Sequence, residues 1–189
     1  PNYWLWRITW HNETAYGIGY GCFDAGEGVR LYRSVDGEYF ETLVADLGVD
    51  CYPNESALVF DADDTALCLL RRDQRPPQTT MLNGRFGVSS PPYTMWEWKD
   101  CGAYFGGPAM LQLPDQRLIA AVRLRNDSEY SALCWVDSDS GALSEWQKLP
   151  SGGDTSYAGL VYHEGELWVS YYSSHEEKTA IYLAKTPVE

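Results

Sequence analysis

Residues 57–72, ALVFDADDTALCLLRR, decide the fold, because two apolar runs of strand length flank a short polar turn. This pattern predicts a β-hairpin. It recurs three more times along the chain, in residues 6–21, 109–124 and 159–173. The last apolar residues before the four turns lie 50, 53 and 49 residues apart, and they are Trp10, Phe60, Leu113 and Tyr162. The chain is therefore built from four copies of one unit.

Further strand-like runs follow the hairpins. They occupy residues 29–34 and 40–47 in the first unit, 132–137 and 143–149 in the third, and 181–185 in the last. Four strands in a repeat of roughly 40–50 residues are typical of a β-propeller blade. No segment of helix length has a 3.6-residue apolar period. The sequence thus predicts an all-β propeller with four visible blades, forming a single domain over residues 1–189.

The ends of the chain leave the size of the ring open. The fourth unit has only three strand-like runs, and residues 1–4 carry neither an initiator Met nor a signal peptide. The chain could close as a four-bladed ring or form part of a six-bladed one, and the start of the chain favours the second. A β-sandwich fits four register-matched hairpins less well. An incomplete ring would expose apolar sheet faces, so we expect self-association. The cellular compartment stays open.

Composition excludes several classes of partner. The net charge of −13 disfavours nucleic acid and anionic lipid surfaces. No apolar run approaches the roughly 20 residues that span a bilayer. The five Cys form no CxxC pair and only three His are present, so we expect no zinc site and no other cofactor. An acidic small ligand would need a local cluster of Arg.

Alignment of the four units brings polar residues together. Five residues before the anchors lie Leu5, Glu55, Pro108 and Tyr157. At the end of the second strand lie Arg71 and Arg123, once the longer turn of residues 61–64 is allowed for. The start of one antiparallel strand and the end of the next share one end of a sheet. Glu55, Arg71, Arg123 and Tyr157 should therefore share one rim of the ring. Arg72 is the alternative to Arg71, because a one-residue slip reverses the face of every side chain.

These residues resemble segments of the non-viral sialidase family. Residues 154–173 are similar to the family's Ser-Tyr-x-x-Leu segment and the hairpin after it, and residues 53–73 and 106–124 are similar to segments that carry its Glu and Arg residues. Ser34–Phe40 resembles an Asp-box turn. The stretches 149–157 and 170–185 look most like uncharacterised bacterial sialidase-like proteins. The resemblance implies a six-bladed propeller and exo-hydrolysis of sialosides or related acidic sugars.

The resemblance also implies roles for the rim residues. Tyr157 would be the nucleophile, Glu55 would accept its proton, and Arg71 or Arg72 with Arg123 would clamp the substrate carboxylate. The family's third Arg and its acid/base Asp have no match here, and Arg7, inside an apolar strand, is a poor substitute. These departures leave an inactive relative as an alternative.

Two further functions stay open at this point. One is a glycan-binding or scaffold propeller without turnover, in which rim aromatics stack on sugar faces. The candidates for that role are Trp96, Trp98, Tyr171 and Tyr172. The other is a different propeller glycosidase that uses two carboxylates, such as Asp73 and Glu55.

Overall fold

The structure is a computed structural model that describes residues 2–22, 28–74, 77–78 and 80–188. Within these ranges the chain forms antiparallel sheets whose strands follow in chain order. The first blade contains β1 (Tyr3–His11), β2 (Thr14–Gly21), β3 (Val29–Ser34) and β4 (Glu41–Val44); the second β5 (Tyr52–Phe60), β6 (Ala66–Asp73), β7 (Arg85–Ser89) and β8 (Glu97–Asp100); the third β9 (Gly106–Gln112), β10 (Leu118–Arg125), β11 (Glu129–Val136) and β12 (Leu143–Lys148); the fourth β13 (Thr155–His163), β14 (Glu166–Glu176) and β15 (Lys178–Pro187).

The predicted all-β fold with four propeller blades is confirmed. Each repeated sequence unit forms the first hairpin of a blade, namely β1–β2, β5–β6, β9–β10 and β13–β14. The last blade has three strands in the described residues, as the short fourth unit indicated. One detail differs: Leu113 lies just after β9, because its N–H bonds to the carbonyl of Arg117 in the turn.

The first strand of each blade faces a common axis. Residues of β1, β5, β9 and β13 together line a cavity of about 240 Å³. Apolar side chains fill the spaces between successive blades, in three clusters that join the first blade to the second, the second to the third and the third to the fourth. Phe86 and Phe105 are fully buried in the second of these clusters. Packing between blades therefore holds the four inner strands around the axis.

Each inner strand is interrupted by a β-bulge near its start. The ladder shifts register at Trp6–Arg7, Asn54–Glu55, Gly107–Pro108 and Tyr157–Ala158. In each case two residues lie opposite one residue of the second strand, which turns side chains away from the regular alternation. Three of the four aligned sequence positions lie in these bulges, namely Glu55, Pro108 and Tyr157. The remaining position, Leu5, immediately precedes the bulge of the first blade. The repeat thus places four bulges at one end of the axis.

The first and last blades carry large exposed apolar side chains. On β1 these are Trp4, Ile8 and Trp10, and on the fourth blade they are Val161, Ile181 and Leu183. Exposed apolar patches favour association. Self-association of the chain remains a prediction.

Polar turns close the outer strands. Between β3 and β4, the Asp36 carboxylate accepts hydrogen bonds from the N–H groups of Glu38 and Tyr39, and the Ser34 hydroxyl donates to it. This is the turn that the sequence compared with an Asp-box. All five Cys are free thiols, and the described residues hold no group of three or more His, Cys, Asp or Glu arranged to bind a metal ion. A search of these residues for a membrane-spanning helix finds none.

Phe105 offers a test of the packing between the second and third blades. Its ring is fully buried and lies against Gly84. We expect Phe105→Ala to lower the free energy of unfolding by about 3–5 kcal/mol, since it leaves a cavity in the cluster. Chemical denaturation measures the change, with Tyr39→Ala, at an exposed position, as the control with an effect below about 0.5 kcal/mol. Equal effects of the two variants would contradict this packing.

Candidate active site at the axial rim

Glu55 is the centre of the rim. It lies in the bulge of β5 and is 5% exposed. One carboxylate oxygen accepts from Arg71 Nη1 at 2.9 Å and from the Gly107 N–H at 2.8 Å, and the other accepts from the Tyr157 hydroxyl at 2.8 Å. The three donors come from the second, third and fourth blades. Burial by itself raises the pKa of Glu55, but the charge and hydrogen bond of Arg71 and the other two donors outweigh it, so the pKa lies below its ordinary value.

Arg71 forms an ion pair with a second carboxylate, that of Asp73. Its Nε lies 2.9 Å from an oxygen of Asp73, and its Nη2 donates to the Tyr104 hydroxyl at 3.3 Å. Burial by itself lowers the pKa of Arg71. The Glu55 and Asp73 carboxylates raise it by more than burial lowers it, so the pKa lies above its ordinary value. Arg71 is therefore a permanent cation held between two anions.

Tyr157 is the exposed partner of Glu55. Its side chain is 45% exposed, and its φ of 52° lies in the left-handed region that favours glycine. In the bulge of the third blade the corresponding residue is Gly107, whose φ is 53°. Burial and the hydrogen bond and charge of Glu55 raise the pKa of Tyr157 to about 12. A tyrosine in a glycine conformation is a strained choice, and such strain concentrates at functional sites.

The structure separates the two candidate clamp arginines of the second blade. Arg71 reaches Glu55, whereas Arg72 points to the other face of the blade, where it bonds to Asp50 and to the Asn83 carbonyl. The structure therefore does not bring Arg72 to Glu55, because alternation along β6 sends consecutive side chains to opposite faces. An ion pair with Asp50 and a hydrogen bond to the Asn83 carbonyl hold Arg72 there.

Arg123 lies beside this centre, on the fourth-blade side of β10. Its Nη1 is 3.5 Å from Asp154, and its Nε, 3.9 Å from Glu129, has no hydrogen-bond partner although it is buried. The guanidinium packs against the backbone of Gly106. The carboxylates nearest to Arg123 are thus farther away than those of Arg71, which lie at 2.9 Å.

The four aromatic residues predicted at the rim lie in different parts of the structure. Tyr172 contacts the Tyr157 ring, with centroids 5.8 Å apart, and donates to Asp154. Tyr171 is buried and donates to the Pro150 carbonyl, while Trp96 and Trp98 stack on each other against the first blade. Those three side chains lie on strand faces that pack against a neighbouring blade, so they belong to the apolar clusters between blades. Of the four, only Tyr172 lies at the site.

Sequence reasoning missed three contributors. Gly107 supplies a backbone donor to Glu55, which no side-chain pattern reveals. Trp6 contacts the Tyr157 ring at 5.3 Å, and Arg7 donates from Nη2 to the Ala158 carbonyl at 2.8 Å. The available signal was the repeat itself, because Trp6 and Arg7 directly follow Leu5, the aligned position of the first unit.

Neither the protein-family models nor the curated proteins contain a match to this chain. Solved structures do resemble it. A protein of unknown function from Dyadobacter fermentans has a TM-score of 0.79 and 15% identity, over 96% of this chain and 52% of its own. An endo-1,4-β-xylanase from Bacteroides thetaiotaomicron has a TM-score of 0.72 and 13% identity, over 99% and 70%. An exo-β-1,3-galactanase from Phanerochaete chrysosporium has a TM-score of 0.69 and 13% identity, over 96% and 49%.

These similarities establish the fold. The chain spans about half the length of the Dyadobacter protein and of the galactanase, so it corresponds to part of each. At 13–15% identity the comparison carries no residue roles from one protein to another. By their names, two of the similar structures are a xylanase and a galactanase, and neither is a sialidase. These similarities therefore support the propeller fold and give no support to its expected sialidase type.

The ionised state of Glu55 predicts a pH effect on stability. A carboxyl whose pKa is lower in the folded than in the unfolded chain stabilises the fold above its unfolded pKa, and this is lost as pH falls through the folded pKa. We expect the stability difference between the wild type and Glu55→Gln to shrink as pH falls from about 5 to 3. Urea unfolding across this range measures it. Glu164→Gln, at an exposed turn, is the control and should show no such trend; a constant difference for Glu55→Gln would contradict the assignment.

The strained backbone of Tyr157 gives a second prediction. At a left-handed φ, Gly is favoured over Ala by about 1 kcal/mol. We therefore expect Tyr157→Gly to be more stable than Tyr157→Ala by about that amount. The matched pair at Val161, in the same strand and without a positive φ, should show the opposite order. Thermal or urea unfolding of the four variants measures both differences, and the same order at the two positions would show that the bulge is unstrained.

Proposed function

We propose that this chain is the carbohydrate-binding part of a β-propeller glycoside hydrolase and that Glu55 is its catalytic carboxylate. The observation that carries the proposal is a buried carboxylate at the open end of the propeller axis, held by donors from three blades beneath a half-exposed tyrosine. The similar folds include a xylanase and a galactanase, which supports a glycan as the ligand.

Glu55 suits the role of base or electrostatic stabiliser. Its lowered pKa keeps it ionised at neutral pH, so it can polarise an attacking water or stabilise positive charge that develops on the sugar ring. A general acid for the leaving group needs a raised pKa. Among the described residues, each Asp or Glu whose pKa departs clearly from its ordinary value departs downward. Glu55 is therefore assigned to the base side of the reaction.

We assign Tyr157 to holding the Glu55 carboxylate and contacting the sugar. As a nucleophile it would first pass its proton to Glu55, although the pKa of the phenol is raised to about 12 and that of the carboxyl is lowered. Both shifts disfavour this transfer. Donating a hydrogen bond carries no such cost, so the nucleophile is the competing version of the proposal.

The charges favour a neutral sugar over an acidic one. In a sialoside clamp, Arg71 and Arg123 would both bind the substrate carboxylate, but Arg71 already contacts Glu55 and Asp73. Arg123 is paired less closely, with Asp154 at 3.5 Å and Glu129 at 3.9 Å. A sugar carboxylate would add a further anion to this group, whereas hydroxyl groups can use the donors of Arg123 without that repulsion. Sialoside specificity is therefore the less favoured form.

A mechanism with Asp73 and Glu55 as the two catalytic carboxylates fits the site poorly. Such a pair needs one protonated member to act as the acid. Both carboxylates lie 2.9 Å from the guanidinium of Arg71, so each already serves as an ion-pair partner of the same cation. Asp73 is better described as the residue that holds Arg71 in place.

One observation favours binding without turnover as a second candidate. Both oxygens of Glu55 already have donors in the structure, so a water or sugar must displace one of them to reach the carboxylate. Tyr157, being half exposed, is the donor that can leave. A lectin-like propeller would keep all three donors in place and bind sugars on the surrounding aromatic and Arg side chains.

Substrates that need no general acid separate the two candidates. We expect turnover of 2,4-dinitrophenyl β-galactoside or β-xyloside, whose leaving group departs without protonation. Glu55→Gln should lower kcat/KM by about 100-fold or more, as for loss of a general base. Tyr157→Phe should cost about 10-fold or less, corresponding to the loss of one hydrogen bond. A fluorogenic sialoside is tested in parallel.

The outcomes are distinct. Abolished activity in Tyr157→Phe would support the nucleophile instead, and preferential cleavage of the sialoside would overturn the assignment to neutral sugars. No turnover of any aryl glycoside, together with calorimetric binding of galacto- or xylo-oligosaccharides that survives Glu55→Gln, would leave the binding function. Glu164→Gln serves as the control for the loss of one surface carboxylate.

A further inference from the structure

The bulge of the first blade faces the bulge of the fourth. Trp6 places its ring 5.3 Å from that of Tyr157, and the next residue, Arg7, donates from Nη2 to the carbonyl of Ala158 at 2.8 Å. These contacts join residues about 150 positions apart in the chain. The two residues of one bulge therefore bind, one to one, the two residues of the other.

The bulge of β13 needs support from outside its own sheet. Tyr157 is held at a φ of 52°, which costs a non-glycine residue about 1–2 kcal/mol. The ladder between β13 and β14 is interrupted from Ser156 to Gly159, so β14 does not fix this segment. A strained backbone persists only where its surroundings over-determine it. The donor that Arg7 supplies to the Ala158 carbonyl is such a constraint, one residue beyond the strained position.

Arg7 is also placed for this task by charge. Among the residues that line the axial cavity it is the charged one, beside Ile8, Thr9 and apolar side chains of the other inner strands. Burial lowers the pKa of Arg7, and the Glu55 carboxylate acts in the opposite direction, so the two charges attract each other. A cation in an otherwise apolar channel is costly unless it is paired. The Ala158 carbonyl and the field of Glu55 compensate part of this cost, while the buried Nε of Arg7 has no hydrogen-bond partner.

From these contacts we infer that Arg7 is a positioning residue that holds the Tyr157 hydroxyl against Glu55 by fixing the bulge of β13 from the neighbouring first blade. Its importance for catalysis rests on the proposed function, but the inference concerns a geometry that is measurable without turnover. Through Arg7, the contact between the first and fourth blades helps to set the position of Tyr157 relative to Glu55.

The ionisation of Tyr157 reports this geometry. Protein labelled with ¹³C at tyrosine Cζ is titrated up to pH 11 by NMR, and Tyr157→Phe assigns the resonance. In the wild type we expect Tyr157 to stay protonated, because its pKa is about 12. In Arg7→Met the bulge relaxes, the phenol leaves Glu55, and Tyr157 becomes half ionised near its ordinary pKa of 10. Glu55, Arg71, Arg123 and Tyr172 also face Tyr157, and they are unchanged.

Two further variants complete the test. Arg7→Lys keeps a charge and a donor for the Ala158 carbonyl, so it should restore the wild-type titration. Arg33→Met removes an exposed Arg of the same blade, paired with Glu41, and should leave it unchanged. A lowered melting temperature with unaltered Tyr157 ionisation in Arg7→Met would show a merely structural role and overturn the inference. If Arg7→Met does not fold, Arg7→Lys decides, and ionisation near pH 10 in that variant overturns the inference. Neither outcome depends on hydrolysis.

Discussion

The rim of this propeller depends on one buried carboxylate, that of Glu55. Burying an ionised carboxylate costs several kcal/mol unless it is paired and hydrogen-bonded. Here the compensation comes from Arg71 in its own blade, from the Gly107 N–H in the next and from the Tyr157 hydroxyl in the last. These donors reach Glu55 only when three blades are in register. The same contacts that make the site therefore also hold the inner ends of the blades together.

The repeated bulge explains how an ordinary propeller repeat reaches this arrangement. A regular strand alternates its side chains between the two neighbouring blades, so none of them points along the rim. An extra residue in each inner strand breaks the alternation at the same end of all four blades. Where backbone alone is needed, the chain uses Gly107, whose left-handed φ is free of strain. Where a side chain is needed at nearly the same φ, it uses Tyr157 and accepts the strain.

The repeat made most of the fold predictable from sequence. Apolar runs and polar turns are local features, and their near-constant spacing located the four hairpins without knowledge of any contact. The same alignment brought Glu55, Arg71, Arg123 and Tyr157 to one rim, where the structure also places them. It could not choose between Arg71 and Arg72, because that choice depends on a bulge that shifts the register by one residue. Nor could it find the Gly107 N–H or the bond of Arg7 to a carbonyl, because backbone groups leave no mark on the pattern of side chains.

The charge balance constrains what the site can do more tightly than its shape does. The chain carries a net charge of −13, yet the rim gathers Arg7, Arg71 and Arg123 around Glu55. Had these cations served to attract an anionic substrate, they would be expected to stand free, as Arg123 partly does. Arg71 instead lies 2.9 Å from each of two carboxylates, and Arg7 faces a carbonyl. Arg71, with the Gly107 N–H and the Tyr157 hydroxyl, lowers the pKa of Glu55, which suits a base or a charge stabiliser better than a proton donor. A glycosidase built on this rim therefore protonates its leaving group from another source or acts on leaving groups that need no proton, and a site that has neither option is a glycan-binding site.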